Sequence, residues 1–115
     1  MKIRGYSLEH IIKSDDLLKQ VYKKHLNLGD YIIVKTTNSV YKICKQNDFM
    51  FEVQGGWFDK EGLSPALLTI RGCTLGGSSI QHRIIAACGL CLEFGNNLVT
   101  SPIQKIVVVK ASTAN

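Results

Sequence analysis

Between residues 30 and 110 apolar residues alternate with other residues over short stretches, and Gly, Asn and Pro separate these stretches. A two-residue period is typical of β-strands that bury one face, because successive side chains of a strand point to opposite sides. The pattern predicts a mainly β fold in which five or six antiparallel strands curl into a small barrel or a strongly bent sheet. An N-terminal helix makes the class α+β by count.

The clearest predicted hairpin surrounds Thr37 and Asn38, because both flanking stretches are rich in β-branched and aromatic residues. Lys42 and Lys45 fall among its apolar residues and indicate that one side of the hairpin faces solvent. The predicted strands are residues 31–36, 39–45, 49–53, 66–71, 90–94, 98–101 and 103–110, with a long loop at 54–65.

Two further segments are interpreted less directly. The segment from Ser14 to His25 predicts a helix, because Ser14 can cap its start and apolar residues from Leu17 onward form one stripe. Residues 79–88 fit either a helix or a strand, and the glycines close to both ends favour a strand or an irregular stretch.

The chain of 115 residues is expected to form a single domain, residues 1–115, with a helical N-terminal region at 1–28 and a β barrel-like region at 30–110. No apolar run approaches the ~18 residues that span a bilayer. The first ten residues lack the apolar core of a secretory signal. We therefore expect a cytoplasmic protein without membrane contact, whose four cysteines are reduced.

Several turn segments resemble, in order, those of a group of short uncharacterised bacterial proteins. These segments are TxNSxY from Thr37, GCTxGGS from Gly72, GLxLEF from Gly89 and TSPI from Thr100. The resemblance covers about residues 30 to 110 and leaves the helical N-terminus outside. It implies a small β fold of bacterial type, and no activity, cofactor or site residue follows from it.

The net charge of +5 lies entirely in the first 45 residues, which hold nine Lys and Arg against four Asp and Glu. Such asymmetry can mark a surface that faces a polyanion, although a solubilising face is the commoner explanation. The nucleic-acid-binding candidates are Lys19, Lys23, Lys24, Lys35 and Lys42.

Cys88 and Cys91 form a C-x-x-C motif, a spacing that suits a shared metal ion or a reversible disulfide. A structural zinc site needs four ligands, and the remaining Cys and His residues are scattered singly along the chain. Packing in a strand or core is the alternative, because free cysteine behaves as a small hydrophobic residue. We therefore predict no metal site or cofactor, with Cys88 and Cys91 as weak metal candidates.

Two loops contain ligand-binding candidates. In the first, Gly76, Gly77 and Ser78 resemble a phosphate loop, but Ser78 stands where the phosphate-binding Lys belongs, so a simple glycine turn is the alternative. In the second, Trp57 and Phe58 follow two glycines and would stack on a ligand if exposed, or close one end of the core if folded back.

The chain contains neither G-x-S-x-G nor H-E-x-x-H, and it has no close pair of acids suited to catalysis. We expect a non-enzymatic binding or assembly module that has a protein partner or associates with itself through strand edges. One alternative is a nucleic-acid-binding protein that uses the basic N-terminal region and Trp57. Another is a thiol or zinc protein that uses Cys88 and Cys91.

Overall fold

The computed structural model describes residues 2–3, 6–7, 17–75 and 79–111. Within them the chain is mainly β, as predicted, with thirteen short strands, one 3-10 turn at Lys23–His25 and one short helix, α1, at Gly56–Lys60. The strands are β1 (Lys2–Ile3), β2 (Tyr6–Ser7), β3 (Leu17–Leu18), β4 (Gln20–Tyr22), β5 (Tyr31–Thr36), β6 (Val40–Lys45), β7 (Phe51–Gly55), β8 (Ala66–Leu68), β9 (Ile70–Thr74), β10 (Ile80–Gln81), β11 (Ile84–Ala87), β12 (Cys91–Phe94) and β13 (Ile103–Val109).

The largest sheet has six antiparallel strands in the order β3-β13-β5-β6-β7-β8. A second sheet has the order β10-β9-β12, and β4 pairs with β11 in a third, while β1 and β2 pair separately. Only Lys19 separates β3 from β4, and only Thr69 separates β8 from β9. At both places the chain passes from the largest sheet directly into another sheet. The strand orders do not close into a barrel over the described residues, so the barrel alternative of the prediction is wrong.

The predicted hairpin is confirmed as β5 and β6. Ile32 lies opposite Ile43 in the antiparallel register, and both side chains are fully buried. They belong to the main core, which the second and third sheets complete through residues such as Ile85, Leu92 and Phe94. The hydrophobic area that the three sheets share therefore holds the described fold together.

The opposite side of this hairpin is also buried, so the predicted solvent-facing side is wrong. Tyr31, Ile33, Cys44 and Val107 form a second buried cluster there. Lys42 is only 2% exposed, and its ammonium nitrogen lies 4.6 Å from the centre of the Tyr31 ring. A cation above an aromatic face is attracted by the ring quadrupole, which makes this burial tolerable.

The predicted helix from Ser14 to His25 is wrong over residues 17–25, and its first three residues lie outside the described residues. The segment instead forms β3, β4 and the 3-10 turn, because β3 pairs with β13 and β4 pairs with β11. These backbone hydrogen bonds with distant strands outweigh a local helical stripe.

The ambiguous segment at residues 79–88 forms two strands, β10 and β11, in agreement with the favoured interpretation. Predicted loop residues 54–65 instead contain the end of β7 and helix α1. Across the described residues, no helix has both the length and the apolar character needed to cross a membrane.

Candidate functional site

A cavity of about 640 Å³ opens beside the end of β4, lined by Tyr22, Lys23, Lys24, His82 and Arg83. An adjoining depression of about 430 Å³ shares three of these residues and adds two more, Gln81 and Ile84. We call the two together the basic cleft. Among the described residues, its lining contains lysine, arginine, histidine, tyrosine, glutamine and isoleucine but no carboxylate.

Pairing between β4 and β11 brings the two walls of the basic cleft together. Tyr22 lies opposite Ile84 in the antiparallel register. The backbone N–H of Lys23 then donates a hydrogen bond of 2.8 Å to the carbonyl of Arg83. Two basic segments that are about sixty residues apart in the sequence therefore become neighbours.

The wall of the basic cleft that contains Gln81 and His82 is held against β9 at Gly72. This glycine has φ +142°, and a Cβ there would lie 2.2 Å from the carbonyl oxygen of Gln81. Only glycine permits so close an approach of the two backbones. The approach also lets Nδ1 of His82 donate a hydrogen bond of 3.0 Å to the carbonyl of Arg71. Since a carbonyl only accepts, Nδ1 is the donor in this contact, and in a neutral ring Nε2 is then an acceptor.

Lys23 is a half-buried structural cation that lines the basic cleft. Its ammonium group donates to the carbonyl of Ile70 at 2.5 Å and lies 3.4 Å from that of Arg71. Burial lowers the pKa of Lys23 below its ordinary value, and the neighbouring Cys73 thiol opposes that shift only in part. The group thus ties the 3-10 turn to β9.

Unlike the half-buried Lys23, Lys24 and Arg83 are both exposed. Neither side chain forms a hydrogen bond or ion pair with any residue in the part of the chain that the structure describes. Glu93 is paired with Arg71 at 3.4 Å and is not among the residues that line the basic cleft. The charges of Lys24 and Arg83 are therefore available to an anionic ligand.

Tyr22 supplies an aromatic wall to both depressions of the basic cleft. Its ring meets the His25 ring edge-on, with centroids 5.6 Å apart and an interplanar angle of 77°. Nε2 of Gln20 donates a hydrogen bond of 3.2 Å to its hydroxyl. The ring is half-buried and is held on two sides.

The structure brings together only two of the five predicted nucleic-acid-binding lysines, Lys23 and Lys24. Lys19 is exposed between β3 and β4, and Lys35 donates a hydrogen bond of 3.1 Å to Gln104 on the largest sheet. Lys42 is buried, so its charge is not presented at the surface.

Sequence reasoning missed five cleft residues: Tyr22, Gln81, His82, Arg83 and Ile84. A signal was present, because an aromatic and basic run from Tyr22 to His25 and a polar run from Gln81 to Arg83 both occur in the sequence. Their contact depends on strand pairing over a long sequence separation, which local patterns do not specify.

The two cysteines of the C-x-x-C motif lie in different settings. Cys88 is exposed and its thiol donates to the carbonyl of Gln104 at 3.4 Å, while Cys91 is half-buried on β12. Partial desolvation of the Cys88 thiol by surrounding atoms raises its pKa, although Lys19 partly opposes this, whereas a redox thiol needs a lowered pKa. Among the described residues, no group of three or more His, Cys, Asp or Glu could hold a metal ion.

The predicted aromatic ligand site is mainly part of the core. Phe58 is 1% exposed and packs edge-on against Phe94, with ring centroids 5.1 Å apart. Trp57 is half-buried and contacts Phe58 at a centroid distance of 5.3 Å. The folded-back alternative therefore fits Phe58, because helix α1 turns it inward. Gly76, Gly77 and Ser78 lie outside the described residues.

No protein-family model, curated protein or solved structure matches this chain. The resemblance to short bacterial proteins stays a prediction.

Proposed function

We propose that the protein is a non-enzymatic binding module that binds nucleic acid at the basic cleft. One observation carries the proposal, namely that two cationic side chains without partners among the described residues, Lys24 and Arg83, line the same cavity as the Tyr22 ring. Phosphate groups supply the negative charge that such cations bind, and bases supply faces for an aromatic ring.

The shape of the cleft favours this proposal over a merely solubilising surface. A cleft lined by one sign of charge focuses the electric field and concentrates ligands of opposite charge, and here cationic side chains line cavities of about 640 and 430 Å³. Both volumes fall in the ~300–1,000 Å³ range typical of ligand pockets. The Lys23 ammonium adds positive potential to the cleft that it lines, since its hydrogen bonds in the described residues go only to neutral carbonyls.

The direct test is fluorescence anisotropy with a labelled oligonucleotide of mixed sequence, titrated at several salt concentrations. Binding should weaken as salt rises, with a slope of roughly −2 for about three neutralised phosphates on a single strand. The double variant Lys24→Gln/Arg83→Gln should lower affinity at least roughly tenfold, because each lost charged contact costs about 1 kcal/mol or more.

A matched control removes the same net charge elsewhere. Lys60 on α1 and Lys105 on β13 are both exposed and lie outside the basic cleft. The variant Lys60→Gln/Lys105→Gln should keep nearly the wild-type affinity. Equal losses in the two double variants, or no complex at low salt, would contradict the proposal.

Self-association is a second candidate, supported by the edge strand β8. Within the described residues β8 pairs only with β7, and the neighbouring Leu63 and Leu67 side chains are 52% and 58% exposed. An exposed apolar edge is a template for pairing with a second copy. Light scattering at high concentration should then report more than the 12.8 kDa monomer. Leu67→Lys should restore the monomer.

A further inference from the structure

We infer that the basic cleft takes a single strand of nucleic acid, with Tyr22 stacked on one base and with Lys24 and Arg83 bound to the adjacent phosphates. This inference rests on the proposed function and narrows it to one form of the ligand. It depends on the position of the Tyr22 ring, on the arrangement of the cleft as two adjoining depressions and on the hydrogen bond of His82 Nδ1.

The Tyr22 ring is prepared for stacking before a ligand arrives. The edge-on contact with His25 and the hydrogen bond from Gln20 contact the ring and its hydroxyl on two sides. Backbone pairing of Tyr22 with Ile84 fixes the position of its Cα. A ring held in this way loses little conformational entropy on binding, which favours affinity.

The basic cleft consists of two adjoining depressions, which offer separate places for neighbouring nucleotides. Tyr22, His82 and Arg83 line both depressions, so they form the boundary between the two. Lys24 lines only the larger depression, and Gln81 lines only the smaller one. Consecutive nucleotides of a flexible strand can occupy two adjoining depressions, and Arg83, which lies at the boundary, then contacts the phosphate between them.

A duplex does not fit this arrangement. Its bases are paired and stacked, so their faces are hidden from a tyrosine ring at the wall of a cavity. A duplex also presents its phosphates on a convex surface, which matches a broad basic face better than a cleft. Recognition of unpaired bases by aromatic rings is instead the common mode for single strands.

His82 adds a polar contact of the kind that a base edge requires. Because its Nδ1–H donates to the carbonyl of Arg71, the neutral ring keeps Nε2 as an acceptor at the wall of the cleft. The amino groups of bases donate hydrogen bonds, and these groups are accessible on the edges of an unpaired base.

The test compares three ligands of equal length by anisotropy: a single strand, its blunt duplex, and an abasic strand that keeps the phosphates but lacks the bases. The single strand should bind roughly 5- to 150-fold more tightly than the abasic strand, the range expected for stacking of one base. It should also bind more tightly than the duplex. These comparisons need no substitution.

Two variants locate the effect. Tyr22→Leu should weaken single-strand binding by a similar factor and leave binding of the abasic strand unchanged, while Tyr22→Phe should stay within about threefold of the wild type. Urea unfolding of both variants checks that they fold. If Tyr22→Leu does not fold, the comparison of the three ligands with the wild-type protein tests the single-strand inference.

The outcomes separate the two proposals. Equal binding of the single strand, the duplex and the abasic strand, with loss in Lys24→Gln/Arg83→Gln, would overturn the single-strand inference and leave nucleic-acid binding in place. Absence of binding to all three ligands would overturn both.

Discussion

The ammonium group of Lys23 donates a hydrogen bond of 2.5 Å to the carbonyl of Ile70, and this contact joins the 3-10 turn to β9. The next residue, Lys24, is exposed and forms no hydrogen bond or ion pair with the described residues. Two adjacent lysines therefore have different tasks: Lys23 maintains the basic cleft, and Lys24 is available to a ligand.

The first prediction separates these tasks. Lys23→Met should lower the free energy of unfolding by about 1–2 kcal/mol, because it leaves half-buried carbonyls without a charged donor. Lys24→Met should change it by less than about 0.5 kcal/mol, as is usual at exposed sites, and should weaken oligonucleotide binding. Urea unfolding and anisotropy measure the two effects. Equal stability of the two variants would show that the Lys23 contact is not structural.

The second prediction concerns the close approach of Gly72 to Gln81. Gly72→Ala should destabilise the protein by about 3 kcal/mol or more, because the new Cβ would lie 2.2 Å from a backbone oxygen that cannot move without breaking β10 from β9. It should also weaken ligand binding, since His82 is positioned by that contact.

Gly62→Ala is the matched control for this prediction. Gly62 also has positive φ, +71°, but a Cβ there meets nothing within 4 Å. Gly62→Ala should therefore lower the free energy of unfolding only by the backbone strain, about 1 kcal/mol. Thermal melts of both variants measure the difference, and similar melting temperatures would mean that the close approach does not constrain the fold.

Asp30 provides a prediction on pH. The carboxylate is buried and accepts hydrogen bonds from the backbone N–H groups of Ala111 at 2.7 Å and Asn27 at 2.8 Å, and it pairs with Lys110 at 3.0 Å. Burial alone would raise the pKa of Asp30, but these donors outweigh it and lower the pKa below the ordinary value of 3.8.

Because the pKa is lowered in the folded state, Asp30 stabilises the protein fully above the pKa of the unfolded chain and loses this effect as pH falls through the folded value. Asp30→Asn should cost about 2 kcal/mol at neutral pH, since it removes a charged acceptor. The difference from wild type should shrink below pH 3.8. Urea unfolding over a pH series measures it, and a difference independent of pH would be inconsistent with this assignment.

The hairpin of β5 and β6 could be predicted from the sequence because the information is local. β-Branched residues on both sides of Thr37 and Asn38 indicate strands and a turn. In contrast, the apolar residues from Leu17 to Tyr22 fit one face of a helix as well as two short strands. The choice depends on β11 and β13, which lie far along the chain.

The candidate site shows the same limit. Lys23 and Lys24 could be found from the charge asymmetry alone, whereas Arg83 and His82 enter the site only through the pairing of β4 with β11. Lys42 was expected at the surface because lysine is rarely buried. Its contact with the Tyr31 ring, on the strand paired with its own, could not be read from local composition.

Thiol chemistry gives a fourth prediction. Burial raises the pKa of Cys73 to about 11, so at neutral pH its thiolate is scarce and its thiol is out of reach. In the native protein an aromatic disulfide reagent should label the exposed Cys88 first and Cys73 last, and denaturation should remove the difference. Cys88→Ser should remove the fastest phase of labelling, and Cys73→Ser should remove the slowest. Fast native labelling of Cys73 would contradict its burial.

The most direct test of the central claim, that the basic cleft binds the ligand, is a backbone amide NMR titration with a single-stranded oligonucleotide. Shifts should concentrate at Tyr22, Lys24 and Arg83 and should be small at Lys35 and Trp57, which lie outside the cleft. Shifts centred on Lys35 or Trp57, or no shifts at low salt, would contradict the claim.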